Sequence, residues 1–224
     1  MSSISEAVPA DTLVVGRFLE RTVAEGPGER TAIWVQGCTI RCRGCFNPHL
    51  WTFRGGTPTP TAEVLHRVLE ADTDGLTLLG GEPFDHAAPL AVIAAGVREA
   101  GRTVMTFSGY TTAELDEAVH SGRDDVAALL EATDLLVAGP YVAELVDRER
   151  PWAGSTNQEF VQRGDRLPYS RTPDRLEITV AEDGLLSVNG WADDETLDAL
   201  LYDLGRRQRP DALHDAYSSE ISVA

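Results

Sequence analysis

The sequence predicts an α/β fold of parallel βαβ units, arranged as an open sheet or as a complete or partial barrel. Three observations predict it. Short apolar, strand-like runs alternate with helix-periodic segments, and Gly- and Pro-rich turns punctuate the joins. A chain of 224 residues is also long enough to bury about 70% of its unfolded surface around one core. Right-handed crossovers link such units, and ligands gather at the C-terminal ends of the strands.

The first strand is Thr31–Gln36, which runs directly into Gly37 and a loop holding Cys38, Cys42 and Cys45. Thr59 as N-cap and Pro60 at the first helical position open a helix in which Val64, Leu65, Val68 and Leu69 recur with helical spacing. Gly75–Leu79 is the next strand and stops at Gly80-Gly81-Glu82-Pro83; Ala87–Ala100 follows as a largely apolar helix suited to packing on a sheet. Thr103–Phe107 is strand-like, Ser108-Gly109-Tyr110 turns, and Thr111-Thr112-Ala113-Glu114 is a capping box that starts a third helix. Asp134–Ala138 makes a fourth strand and ends at Gly139-Pro140. Four separate loops therefore converge on one face.

From Gly139 to about Arg175 the chain is polar and without clear period, a composition that suits a lid. Leu176–Ala181 and Leu185–Val188 flank Glu182-Asp183-Gly184, a hairpin signal, and Asp194–Arg207 reads as a closing helix. These marks divide the chain into an N-terminal extension (1–21), a core (22–163), a hairpin and helix packed on the core (164–208) and a flexible tail (209–224).

Lys and Arg number 19 against 36 Asp and Glu, a net charge of −17, and the chain has no Lys. Such a surface repels phosphate backbones and anionic membranes, so neither nucleic acid nor a membrane is an expected partner. No apolar run approaches the ~20 residues of a membrane span, and Met1–Ala10 lacks a basic signal-peptide start. A cytoplasmic protein is expected.

All three cysteines fall within residues 38–45, and an odd, clustered set argues against a disulfide framework. Thiolates are soft ligands, which leaves zinc or iron–sulfur. Structural zinc wants four ligands, and Cys38, Cys42, Cys45 and His49 make such a set. A four-iron cluster is the other option: three cysteines hold three irons and leave the fourth open to a substrate or cofactor. An open position separates catalytic from structural metal sites. The residues alone leave both readings standing, with a non-catalytic zinc or electron-transfer module as the non-enzymatic one.

The C-x3-C-x2-C spacing of Cys38, Cys42 and Cys45 resembles the signature of the radical S-adenosylmethionine (radical SAM) enzymes. Gly26-Pro27-Gly28-Glu29-Arg30, Cys45-Phe46-Asn47 with Trp51, Gly80-Gly81-Glu82-Pro83, Ser108-Gly109-Tyr110, Asp134–Gly139 and Gly154–Gln158 then follow in the order seen in anaerobic ribonucleotide reductase activating proteins. The resemblance covers about Thr22–Arg163. It implies a partial (β/α) barrel of the radical SAM type, carrying a C-terminal β-hairpin and helix.

The resemblance also implies a 4Fe-4S cluster on Cys38, Cys42 and Cys45, with S-adenosylmethionine chelating the open iron and cleaved reductively to a 5′-deoxyadenosyl radical. Gly80 and Gly81 then approach the methionine moiety, Glu82 accepts from its ammonium group, Gly44 and Phe46 border the adenine, and Ser108 contacts the ribose or carboxylate. No catalytic residue is expected beyond the cluster and cofactor site.

The implied partner is a glycyl radical enzyme such as anaerobic ribonucleotide reductase. The alternative is a peptide or small metabolite in a biosynthetic pathway, with the C-terminal hairpin and helix forming part of the pocket. Flavodoxin or ferredoxin is the expected electron donor, and Arg41, Arg43 and Arg54 form a cationic patch for it in an otherwise acidic chain. Asn157 and Gln158 either close over the site or meet the partner, or make ordinary loop hydrogen bonds, and Trp51 is read as core.

Overall fold

A computed structural model describes residues 9–169, 176–180, 186–190, 198–199 and 202. Seven strands share one sheet: β1 (Thr12–Thr22), β2 (Arg30–Val35), β3 (Thr57–Pro60), β4 (Gly75–Gly80), β5 (Thr103–Ser108), β6 (Leu135–Ala138) and β7 (Glu159–Gln162), in the order β3-β1-β2-β4-β5-β6-β7. The centre is parallel, with Ile33 opposite Leu78, Leu78 opposite Thr106 and Phe107 opposite Val137. β1, β3 and β7 run antiparallel at the margins. The parallel strands are covered on both faces, which is why they read as near-continuous apolar runs.

Alternate residues of these strands serve two different layers. Ile33, Val35, Leu76, Leu78, Val104 and Leu136 face the helices α1 (Thr61–Glu70), α2 (Ala87–Glu99) and α4 (Asp124–Ala132), meeting Val64, Val68, Leu90, Ile93, Val97, Val126 and Leu129 in the main core. Ala32 and Trp34 pack against Leu50, and Met105, Leu135 and Val137 against Trp152, Phe160 and Leu167. Loops cover this second face. α3 (Thr112–His120) begins at the Thr111–Glu114 capping box that the sequence predicts, with both reciprocal hydrogen bonds present.

The first helix starts later than its predicted cap. Thr59 belongs to β3, and α1 begins at Thr61, with Pro60 in the N-cap position and no side-chain cap. Two prolines exclude β3 from the sheet's interior, yet an edge strand tolerates them because its outward N–H groups need no partner. Residues 12–21, grouped with an N-terminal extension on sequence grounds, form most of β1, whose alternation is broken by register shifts between Val15 and Arg17 and between Leu19 and Thr22. α4 and β7 also escaped the sequence reading.

The residues read as a C-terminal hairpin pair antiparallel as β8 (Leu176–Val180) and β9 (Leu186–Gly190), Ile178 opposite Val188. The turn Glu182-Asp183-Gly184 and the tail 209–224 lie outside the described residues. So does most of the predicted helix 194–207, of which Asp198, Ala199 and Tyr202 are described and helical. Among the described residues no helix is long and apolar enough to cross a membrane.

Candidate functional site

A cavity of about 430 Å³ opens where β2, β4, β5 and β6 end. Cys38, Cys42, Cys45, Phe46, Gly80, Gly81, Glu82, Ser108 and Gly139 line it, so four loops that are distant in sequence meet as their positions at the strand ends require. Gly44 is outside the lining. It sits at φ +79°, where a Cβ would lie 3.2 Å from that of Ala143, so it shapes the loop behind the cavity wall.

The cysteine loop is anchored by its backbone: Cys38 N–H donates to Trp51 O (3.2 Å), Cys45 N–H to Cys42 O (3.1 Å), and Asn47 N–H to Cys45 Sγ (3.3 Å). The three thiols form no disulfide. Burial pushes the Cys38 thiol up to about 12; the Arg41 N–H works against it, and the nearby Glu82 carboxylate adds to it. Burial outweighs the backbone N–H groups that would favour a thiolate there. The donor set fits a group that brings its own positive charge, as a metal cluster does.

His49, the fourth ligand a zinc site would draw on, is exposed and outside the lining. Among the described residues no three His, Cys, Asp or Glu side chains converge as the ligands of one ion do. In a four-iron cluster each cysteine ligates a different iron.

Glu82 is the most constrained residue of the site. It is 1% exposed; its Oε1 accepts from Phe84 N–H (2.9 Å) and Ser108 Oγ (2.9 Å), and its Oε2 from Gly109 N–H (2.8 Å). Burial, then the charge of Asp85, raises it to about 8, and these three donors act in the opposite direction. Ser108 is thus a partner of Glu82, and its oxygen also accepts from Tyr110 N–H at 3.0 Å.

Gly80 and Gly81 are required by the neighbouring strand. A Cβ on Gly80 would stand 2.5 Å from Trp34 Cα, and one on Gly81 would overlap the carbonyl of Gly37. The turn they make is stitched by Gly81 N–H to Val35 O and Glu82 N–H to Gly37 O, both 2.9 Å.

The sequence reading missed Tyr141 and Trp152 in the lining. The Tyr141 ring meets Phe46 at 4.9 Å between centroids, tilted by 51°. Phe46 is 44% exposed and stands at the cavity wall. Both missed residues lie on the aperiodic 139–158 loop, which folds back through a bridge between Val146 and Ser155. Gln158 holds that loop, accepting from Gly154 N–H (2.8 Å) and donating to Gly139 O (3.0 Å), while Asn157 donates to Pro140 O (2.8 Å). Trp51, read as core, is half-buried and lines the cavity; its indole N–H is buried with no hydrogen-bond acceptor.

A family profile described as "4Fe-4S single cluster domain" matches residues 24–161. The anaerobic ribonucleoside-triphosphate reductase-activating protein of Vibrio cholerae serotype O1 is 33% identical, over 61% of this chain and 89% of its own. That of Pasteurella multocida is 32% identical, over 63% and 92%. The protein of the same description from Enterobacteria phage T4 is 26% identical, over 62% and 88%. Among solved structures, QueE from Escherichia coli aligns with a TM-score of 0.38 and 14% identity, covering 45% of this chain and 53% of that one, an overlap too partial to bear on the fold.

Proposed function

The chain belongs to the family of anaerobic ribonucleoside-triphosphate reductase-activating proteins, and on that premise we propose that it installs a glycyl radical on a partner enzyme by radical S-adenosylmethionine chemistry. One observation carries the reading: three disulfide-free cysteines and the Gly80-Gly81-Glu82 turn line a single cavity at the ends of parallel strands. Helices on one face of those strands and the cavity on the other support a partial (β/α) barrel of the radical SAM type.

Cys38, Cys42 and Cys45 would hold the 4Fe-4S cluster beside the S-adenosylmethionine site. Bound there, the two groups would supply one-electron cleavage of a carbon–sulfur bond and, through it, hydrogen abstraction from the partner. The protein's own work is placement and exclusion. Glu82, fixed in direction by Phe84, Gly109 and Ser108, offers its oxygens to the cofactor's ammonium group, whose positive charge would favour the ionised carboxylate over the protonated form that burial favours in the empty site. Phe46, backed by Tyr141, gives the adenine an aromatic face. Leu79, Phe107 and Trp152 make the wall apolar, which keeps water from a reactive intermediate.

Arg41, Arg43 and Arg54 are exposed around the cysteine loop and offer a docking patch to an acidic flavodoxin or ferredoxin. We place the reaction in the cytoplasm, where thiols stay reduced. A second reading, modification of a peptide or small metabolite, is favoured by the C-terminal hairpin's contribution of Gly190 to the cavity lining.

The test is anaerobic incubation of the reconstituted protein with S-adenosylmethionine, dithionite and an anaerobic ribonucleotide reductase polypeptide. A glycyl radical signal in the partner, lost with Cys42→Ser, is the expected result. Formation of 5′-deoxyadenosine without that signal would shift the assignment to the second reading.

A further inference from the structure

The cavity has a wall that the family match does not cover. The profile ends at residue 161, yet Gly190 of β9 lines the cavity. What brings it there is a polar clamp between the hairpin and the end of β1. Glu177 on β8 accepts the Thr22 hydroxyl and the Val23 N–H (2.9 Å), and Asn189 on β9 donates to Thr22 Oγ1 at 2.8 Å. Arg17 donates to Asn189 Oδ1 at 3.3 Å, its guanidinium stacked 4.7 Å above the Trp34 ring. Thr22 and Asn189 are both buried, so these are bonds made away from water.

Thr22 is the node of this clamp and is bonded to the cavity wall as well. Its oxygen also accepts from Ala24 N–H at 3.1 Å, and Ala24 and Glu25 line the cavity together with the sheet residues Leu79 and Phe107. Leu79 and Phe107 each precede by one residue the strand-end positions, Gly80 and Ser108, that belong to the cofactor half. One hydroxyl therefore couples the hairpin to the wall segment 24–25.

We propose that the β8–β9 hairpin is a specificity element: clamped at Thr22, it places Gly190 and Ala24 so that this end of the cavity holds the hydrogen donor, an extended peptide segment presenting a glycine. The proposal rests on the radical reading above. Side-chain-free Gly190 and small Ala24 leave room for a main chain, and apolar Leu79 and Phe107 flank it. Glu177 and Asn189 are outside the lining and act as positioning residues.

The experiment compares the full, cluster-reconstituted chain with the Glu177→Ala/Asn189→Ala double variant. The first readout is amide hydrogen exchange without turnover. Exchange at residues 22–25 and 186–190 should rise about tenfold or more while β4 and β5 keep their protection. The second uses an anaerobic ribonucleotide reductase polypeptide deuterated at its glycines. There the glycine Cα–D bond breaks, a C–D bond forms at the 5′ carbon, and the unpaired electron passes to the glycine; dithionite supplies the electron that opens the carbon–sulfur bond.

Deuterium recovered per 5′-deoxyadenosine should fall about tenfold in the double variant, with partner-free 5′-deoxyadenosine formation within about twofold of the parent. Glu177→Gln alone keeps an acceptor oxygen and should retain most of the transfer. Unchanged exchange, or raised exchange with unchanged transfer, would overturn the proposal. So would loss of iron or of β4 and β5 protection in the variant, because the hairpin would then serve the fold. A parent that forms no 5′-deoxyadenosine defeats the radical reading instead, and the exchange readout still reports on the clamp.

Discussion

Tyr110 donates its phenolic hydrogen to Asp85 at 2.9 Å, and both side chains reach Thr39, the residue that follows Cys38. Asp85, fully buried, accepts from Thr39 N–H at 2.8 Å and from its hydroxyl at 3.0 Å. The cysteine loop is thus tied to the 3-10 turn Pro83–His86 and to the loop after β5 by one carboxylate. Holding Thr39, the neighbour of Cys38, by a residue 46 positions away is a tertiary device that no local spacing reveals.

Asp85→Ala leaves the Thr39 N–H and two hydroxyls, those of Thr39 and Tyr110, without their acceptor and should destabilise the protein by about 3 kcal/mol, against about 1 kcal/mol for Tyr110→Phe, which removes one donor of three. Denaturant unfolding of the metal-free chains measures both, and iron content after reconstitution should fall in the same order. Equal stability of Asp85→Ala and the parent would mean that the network does not hold the loop.

Gly81→Ala drives a methyl group into the Gly37 carbonyl, and the atoms nearest to it are all Gly37 backbone, with no flexible side chain to yield. A loss of about 3 kcal/mol or more, or failure to fold, is expected. Thermal unfolding of Gly81→Ala beside Val92→Ala, an exposed position on α2, separates this clash from a general effect of substitution.

Glu82 links stability to pH. Its folded value of about 8 stands above the ordinary 4.5, chiefly through burial, so between those values the folded chain keeps a proton that the unfolded chain has released. Stability of the metal-free protein should therefore fall as pH rises from about 4.5 to about 8 and then level. Glu82→Gln, which carries no ionisable proton, should flatten that slope. Urea midpoints across the range decide it; an identical slope in both proteins contradicts the assignment.

Phe46 and Tyr141 form a ring pair whose contribution is about 1 kcal/mol. Phe46→Ala should weaken S-adenosylmethionine binding by roughly fivefold, read by calorimetry on the reconstituted protein, with cluster absorbance unchanged. Undiminished affinity would place the adenine elsewhere.

Much of this was legible in the chain because local chemistry and tertiary role coincide. The capping box at Thr111, the apolar α2 and the strands ending in Gly-rich turns each satisfy one rule without conflict. The cysteine spacing pointed to the site, and the strand-end rule placed Glu82 and Ser108 beside it. What stayed hidden depended on distant partners. β1 loses its alternation at its register shifts, and β3 is a strand despite Pro58 and Pro60 because only its inner edge pairs. Tyr141 and Trp152 reach the cavity through a loop fold that the Val146–Ser155 bridge creates, and Gly190 through a clamp centred on Thr22. The bond from Ser108 to Glu82 was hidden for the same reason: the two lie 26 residues apart.

The central claim is that Cys38, Cys42 and Cys45 hold a cluster with one iron open to S-adenosylmethionine. Its most direct test is anaerobic reconstitution followed by dithionite and S-adenosylmethionine, with methionine and 5′-deoxyadenosine quantified beside iron and zinc. Equal amounts of both products, bound iron, and loss of both products in Cys38→Ser are the expected result. A chain that binds zinc in place of iron and forms no 5′-deoxyadenosine would contradict it.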